Sequence, residues 1–161
     1  MSGYAVKAGG FVGVISDTHG LVRPGALEAL AGSELILHAG DVGGPEVLEE
    51  LGRIAPVVAV RGNNDRGAWA EALAEYEAVE VNGAFVYVLH DLKELDIAPA
   101  AAGFRVVVAG HSHKPLVEER RGVLYLNPGS AGPRRFKLPV TVARLKVGGE
   151  DASAEIINLS I

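Results

Sequence analysis

Phe11-Val-Gly-Val-Ile-Ser-Asp-Thr-His-Gly20 is an apolar, β-branched run of strand length that breaks into a polar cluster with a carboxylate and an imidazole two residues apart. Four more stretches repeat the pattern. Leu35-Ile-Leu37 runs into His38-Ala-Gly-Asp41, Val57-Val-Ala-Val60 into Arg61-Gly-Asn-Asn-Asp65, Phe85-Val-Tyr-Val-Leu89 into His90-Asp91, and Val106-Val-Val108 into Ala109-Gly-His-Ser-His113. Each run reads as a buried strand. In open α/β sheets ligands bind beyond the carboxyl ends of the strands, where these clusters fall. All five histidines lie in the clusters, so the pattern reads as a metal site, and one for two metals.

The segments between the runs supply the architecture. Pro24–Leu30 has helical spacing with Pro in the first turn, and a second helix is predicted near Pro45–Ile54, so two strand–helix–strand units follow one another and imply parallel pairing. Ala68–Glu75 reads as a short helix, and a helical stretch is predicted over Leu92–Ala102. Asn82-Gly83 is a hairpin turn signal between Ala78–Val81 and Ala84–Leu89. The last third changes to antiparallel hairpins around Arg121-Gly122 and Gly148-Gly149, expected to form a C-terminal meander. Residues 1–10 read as a flexible tail and 11–161 as a single α/β domain of two mixed β-sheets packed together with helices outside.

Composition narrows the function. At 161 residues the chain can bury a substantial core, and 48% hydrophobic with 22% charged residues is a globular balance. A formal net charge of −5 argues against broad nucleic-acid binding. With no cysteine, disulfides, thiolate-bound zinc and thiol nucleophiles are excluded. No stretch reads as a signal peptide or a membrane span, so a cytoplasmic protein without membrane contact is expected.

Asp17 and His19 fall on the same side of an extended strand end, because side chains alternate with period two. Asp41 can serve as an Asx-turn or as a carboxylate that gives one oxygen to each of two cations. Asn63 has the same two readings, turn residue or neutral oxygen ligand. His111-x-His113 after a glycine is more specific for metal, and His90 at a strand end either caps a carbonyl or joins the site. Imidazole, carboxylate and amide ligands without sulfur suit Mn, Fe, Co, Ni or Zn, with manganese as the working ion. Two such ions about 3.5–4 Å apart can hold a hydroxide and clamp phosphoryl oxygens.

This ordered set, from Asp17-x-His19 through Gly40-Asp41, Gly62-Asn63 and His90 to Gly110-His111-x-His113, resembles the calcineurin-like metallophosphoesterase superfamily across nearly the whole chain. Gly62-Asn-Asn-Asp65, Asn127-Pro-Gly-Ser130 and the short length resemble its small bacterial and archaeal phosphodiesterases. The resemblance implies a sandwich of two sheets flanked by helices. It also implies a dinuclear site with Asp17, His19, Asp41 and His113 on one metal, and Asp41, Asn63, His90 and His111 on the other. Asp41 would bridge, and a metal-bridging hydroxide would attack in line at phosphorus in a small-molecule phosphate ester. Relatives also suggest a homo-oligomer.

Two positions depart from the family pattern. Asn64 stands where many of the phosphomonoesterases have a histidine, and an amide cannot protonate a leaving alkoxide. Asp91 stands where Gly is usual; it would orient His90 or narrow the pocket. His38 reads as a residue supporting the ligands, and Arg134 and Arg135 as candidate phosphate clamps. The alternative function is a protein-binding scaffold of the same fold without turnover, as in a retromer subunit.

Overall fold

The computed structural model describes residues 2–159. In chain order the elements are β1 (Ser2–Tyr4), β2 (Val12–Ile15), α1 (Pro24–Leu30), β3 (Leu35–His38), α2 (Pro45–Gly52), β4 (Val57–Ala59), α3 (Ala68–Glu71), β5 (Tyr76–Val81) and β6 (Ala84–Leu89). A 3-10 turn at Leu92–Glu94 precedes β7 (Phe104–Val108), β8 (Leu116–Arg120), β9 (Val123–Asn127), β10 (Thr141–Gly148) and β11 (Asp151–Asn158). They build two mixed sheets, one of six strands in the order β1-β5-β6-β7-β9-β8 and one of five in the order β11-β10-β2-β3-β4.

The period-two alternation of the apolar runs explains the layers. Val12, Val14, Leu35 and Leu37 of one sheet meet Val86, Val88, Val106 and Val108 of the other in the inter-sheet core. Ile15 and Ile36 point the opposite way and pack on Leu30 of α1, Leu51 of α2 and Trp69 of α3. The three helices therefore cover the outer face of the five-stranded sheet. On the outer face of the six-stranded sheet, Tyr87, Leu89 and Val107 are covered by Leu92, Leu95 and Ile97 of an irregular segment. Pro24 and Pro45 sit at the starts of α1 and α2, where the missing N–H costs nothing. Among the described residues no helix is long and apolar enough to cross a membrane.

Three expectations need correction. Residues 2–4 are not a loose tail: Ser2–Tyr4 pairs in parallel with Val79–Val81. Asn82 holds the segment, accepting from the Val6 N–H at 2.8 Å and donating to the Val6 and Val147 carbonyls. The helix expected over Leu92–Ala102 is one 3-10 turn, with the Asp91 side chain capping the Lys93 N–H. Pro99 cannot donate to a helix and biases Ala98 away from helical backbone, so the chain leaves after that turn. The expected C-terminal meander is divided, because β8–β9 belongs to the six-stranded sheet and β10–β11 to the other.

Candidate metal centre

The loops after β2, β3, β4, β6 and β7 converge at one end of the sandwich. Five of their chemistry-bearing residues have left-handed backbone: Asp17 (φ 55°), His19 (φ 47°), Asp41 (φ 55°), His111 (φ 69°) and His113 (φ 64°). Such conformations are uncommon outside glycine and persist only where the surroundings over-determine them. Here they do. The Asp17 N–H donates to the Gly40 carbonyl at 3.0 Å, the His19 N–H to the Asp41 carbonyl at 2.9 Å and the Gly110 N–H to the His90 carbonyl at 2.9 Å, lacing the β2 loop to the β3 loop and the β7 loop to the β6 loop. A side chain on Gly62 would collide with the Asp41 backbone and carboxylate, and one on Gly110 with Ser16 Oγ, so both glycines are needed for close approach.

Asp17 is fully buried, and its Oδ2 accepts from Ser16 Oγ at 2.6 Å and from the His111 N–H at 3.1 Å. Its Oδ1 has no hydrogen-bond donor, although His113 Nε2 stands 3.3 Å away. His19 Nε2 is likewise buried without a partner, 3.9 Å from Asp17 Oδ1 and 3.7 Å from Asp41 Oδ2. Asp41 Oδ2 also lies 3.4 Å from His90 Nε2. Nδ1 of His90 is 2.7 Å from the Ala39 carbonyl oxygen, which can only accept, so that nitrogen carries the proton. Nε2 therefore faces the Asp41 carboxylate oxygen, where a proton or a metal cation relieves the opposition of two lone pairs. His111 Nδ1 is 3.3 Å from the same Nε2.

The electrostatics agree. Burial pushes the Asp17 carboxyl up, but the adjacent His113 imidazole, the Ser16 hydroxyl and nearby His90 hold it below its ordinary value. Asp41 is held well below the carboxylate range, where contacts with His90 and Asn64 outweigh burial. Burial pushes His90 down, yet Asp41 and Asp17 leave it raised overall. Buried anions therefore face imidazoles around orphaned polar atoms, and two sets can each hold a cation: Asp17, His19 and His113, and Asp17, Asp41 and His90. This donor set fits divalent transition metals. Asn63 and His111 line the adjoining cleft of ≈ 430 Å³ beside His90 and Asp91.

Other residues take the following places. Asn64 holds Asp41: its backbone N–H and side-chain amide donate to the two Asp41 oxygens at 2.9 and 3.0 Å. Of the two roles open to Asp91, its place fits the second: it lines the cleft, with Oδ2 3.8 Å from His111 Nε2 and not against His90. Arg134 and Arg135 are exposed and absent from the cleft lining, which instead includes Arg61 and Arg66. Asp65 accepts from the N–H groups of Val42, Gly43 and Gly62 and so ties the β3 loop to the β4 loop. Asn127 donates to the Gly110 carbonyl and Ser112 Oγ, steadying the histidine loop from β9.

His38 supports the site from below. Thr18 Oγ1 donates to the Val42 carbonyl at 2.7 Å, so it accepts from His38 Nε2 at 3.0 Å, leaving Nδ1 to accept the Gly40 N–H at 3.1 Å. A neutral imidazole satisfies all three bonds. Burial, opposed by the charge of Asp17 and Asp65, pushes its pKa down to about 4. The unfolded chain takes up this proton near an ordinary histidine value of about 6.5. The stability held by neutral His38 is thus complete above that value and drains away as pH falls towards the folded value. Between pH 7 and pH 5 it amounts to roughly 2 kcal/mol. Urea unfolding of metal-free protein is expected to show this loss, with a shallower pH slope in His38→Gln. Parallel slopes would refute it.

Comparison with known proteins places this arrangement. The family model of the calcineurin-like phosphoesterase superfamily domain matches residues 11–150. A probable metallophosphoesterase of Methanothermobacter thermautotrophicus is 38% identical over 157 residues, covering 91% of each chain. A phosphodiesterase of Methanocaldococcus jannaschii is 28% identical over 137 residues, covering 73% of this chain and 82% of that one. Among solved structures, an archaeal phosphodiesterase superposes with a TM-score of 0.75 at 24% identity, covering 91% of this chain and 99% of that chain. Vacuolar Protein Sorting 29 of Cryptosporidium parvum gives 0.74 at 21% identity, covering 94% and 98%. With its buried carboxylate–imidazole cluster at the loop ends of a two-sheet sandwich, the chain belongs to the calcineurin-like phosphoesterase superfamily.

Proposed function

We propose that the chain hydrolyses phosphodiesters at a dinuclear metal centre held by Asp17, His19, Asp41, Asn63, His90, His111 and His113. The observation that carries the reading is that Asp41 Oδ2 lies 3.7 Å from His19 Nε2 and 3.4 Å from His90 Nε2, one histidine of each set, so that one carboxylate can serve two cations. When bound, two divalent ions supply Lewis acidity towards phosphoryl oxygens and acidify water.

The chain's own residues do the remaining work. Ala39 fixes the His90 tautomer so that Nε2 is free to ligate, and Asn64 grips both Asp41 oxygens and sets that carboxylate's orientation. Arg61 and Arg66 line the cleft beside Asn63 and His111, where guanidinium groups can bind phosphoryl oxygens; Glu75 holds Arg61 at 3.2 Å.

The amide of Asn64 cannot give a proton to a leaving alkoxide, a contribution worth about 10²–10⁴-fold when present. An aryl diester, whose leaving group departs unprotonated, is therefore expected to turn over with manganese or a similar ion. Alkyl monoesters are expected to be poor substrates. Steady-state kinetics on the two substrate types, with metal analysis approaching two ions per chain, test the proposal. A preference for alkyl monoesters, or saturation at one ion, would overturn it. The likeness to Vacuolar Protein Sorting 29 supports a second reading, a protein-binding scaffold, which absence of turnover in fully loaded protein would favour.

A further inference from the structure

A second cleft, of ≈ 750 Å³, meets the first at Asp91 and His111, which line both. Its character is different. Leu92, Val107, Ala109, Pro115, Leu116 and Tyr125 line it, so it is apolar where the first is charged. Val107 and Ala109 belong to the outer face of the six-stranded sheet, and Leu116 keeps 37% of its surface exposed. Lys93 and Lys114 also line it, and neither forms an ion pair among the described residues. These cations locally offset Asp91 and the chain's net charge of −5, so an anionic ester is not repelled.

We propose that this apolar cleft seats one ester arm of the phosphodiester substrate, an arm carrying an apolar ring, while the phosphorus lies at the metal centre. The assignment rests on the phosphodiesterase reading and adds the class of substrate to it. Ligand sites are characteristically concave, mostly apolar and furnished with a few polar groups that set orientation. A phosphate held beside His111 directs one substituent over Ala109 towards Leu116 and Tyr125. A diester has a substituent to spare for this cleft and another for the leaving position, whereas a monoester has only one. Contacts remote from phosphorus discriminate among arms without altering the chemistry at the reacting atoms.

The test uses the full chain loaded with metal and two diester anions of equal charge, diphenyl phosphate and dimethyl phosphate. Calorimetry is expected to give diphenyl phosphate at least about tenfold tighter binding. In Leu116→Glu the ratio is expected to fall towards one, and in Tyr125→Ala to fall part of the way. Should a variant fail to fold, amide shifts at Val107 and Leu116 on adding diphenyl phosphate to the parent protein give the same information. Equal affinities in the parent protein, or a ratio unmoved by both substitutions, would overturn the proposal. So would a dimer that Leu116→Glu dissociates while the ligand ratio stays constant, since the face would then serve a second copy of this chain. Turnover of p-nitrophenyl phenyl and p-nitrophenyl methyl phosphate separates the two readings. Binding preference without turnover sinks the hydrolase reading and keeps the cleft, while turnover without preference sinks the cleft alone.

Discussion

Asp41→Ala is expected to lower phosphodiester turnover by on the order of 10³-fold or more, because loss of even a single preorganised charge-stabilising donor costs about 10²–10³. Asp41 is placed to do more than one donor does: its Oδ2 lies within 4 Å of both His19 and His90, and both oxygens accept from Asn64. On the proposed assignment, removing it deprives both cation positions of a shared anion and frees the Asn64 loop. Asp41→Asn separates these effects. The amide keeps an oxygen for the Asn64 N–H but carries no charge to share between two ions. It is expected to fold, to bind fewer than two metals per chain by elemental analysis, and to be nearly as inactive as the alanine variant. An Asp41→Asn protein with full metal content and near-parent turnover would rule out the bridging role.

Asp65→Ala should produce the largest loss of stability among the residues around the site, roughly 3–5 kcal/mol. The carboxylate collects the N–H groups of Val42 at 3.1 Å, Gly43 at 3.0 Å and Gly62 at 2.8 Å. Those of Val42 and Gly62 are buried and would be left without acceptors, which costs more than the bonds themselves contribute. For a domain of this size the corresponding fall in melting temperature is about 10 °C or more. Asp65→Asn, which keeps a single acceptor oxygen, should fall between. Because Gly62 precedes Asn63, metal affinity on that side of the centre should weaken as well. Denaturant unfolding of both variants with metal removed isolates the structural part, and a loss below about 1 kcal/mol in Asp65→Ala would show that the carboxylate does not hold the two loops together.

These predictions concern residues of unequal visibility. Asp17, His19, Asp41, Asn63, His90, His111 and His113 could be picked out because each follows an apolar strand-length run, and a strand delivers the residues at its end to one edge of a sheet. Periodicity also located α1, its start set by Pro24, and the hairpin at Asn82-Gly83, where both residues have positive φ (50° and 83°). Such signals are local: the residues that carry them are also neighbours along the chain.

What depends on distant partners left no such trace. Asp65 looks like any turn aspartate until the β3 loop, more than twenty residues earlier in the chain, brings Val42 and Gly43 to its oxygens. Nothing in the run of basic residues at Arg134-Arg135 distinguishes it from Arg61 and Arg66, because which guanidinium meets the cleft depends on how the β4 loop packs against the ends of β6 and β7. Ser2–Tyr4 has the composition of a loose end and becomes a strand only because Val79–Val81 offers an edge and Asn82 ties down Val6. Residue types and their spacing thus announced the family and the strands that bring its carboxylates and imidazoles together. The choice of which carboxylate binds backbone, which arginine faces the cleft and where an apolar pocket opens beside His111 belongs to the packed sheets, since those contacts join residues far apart in the chain.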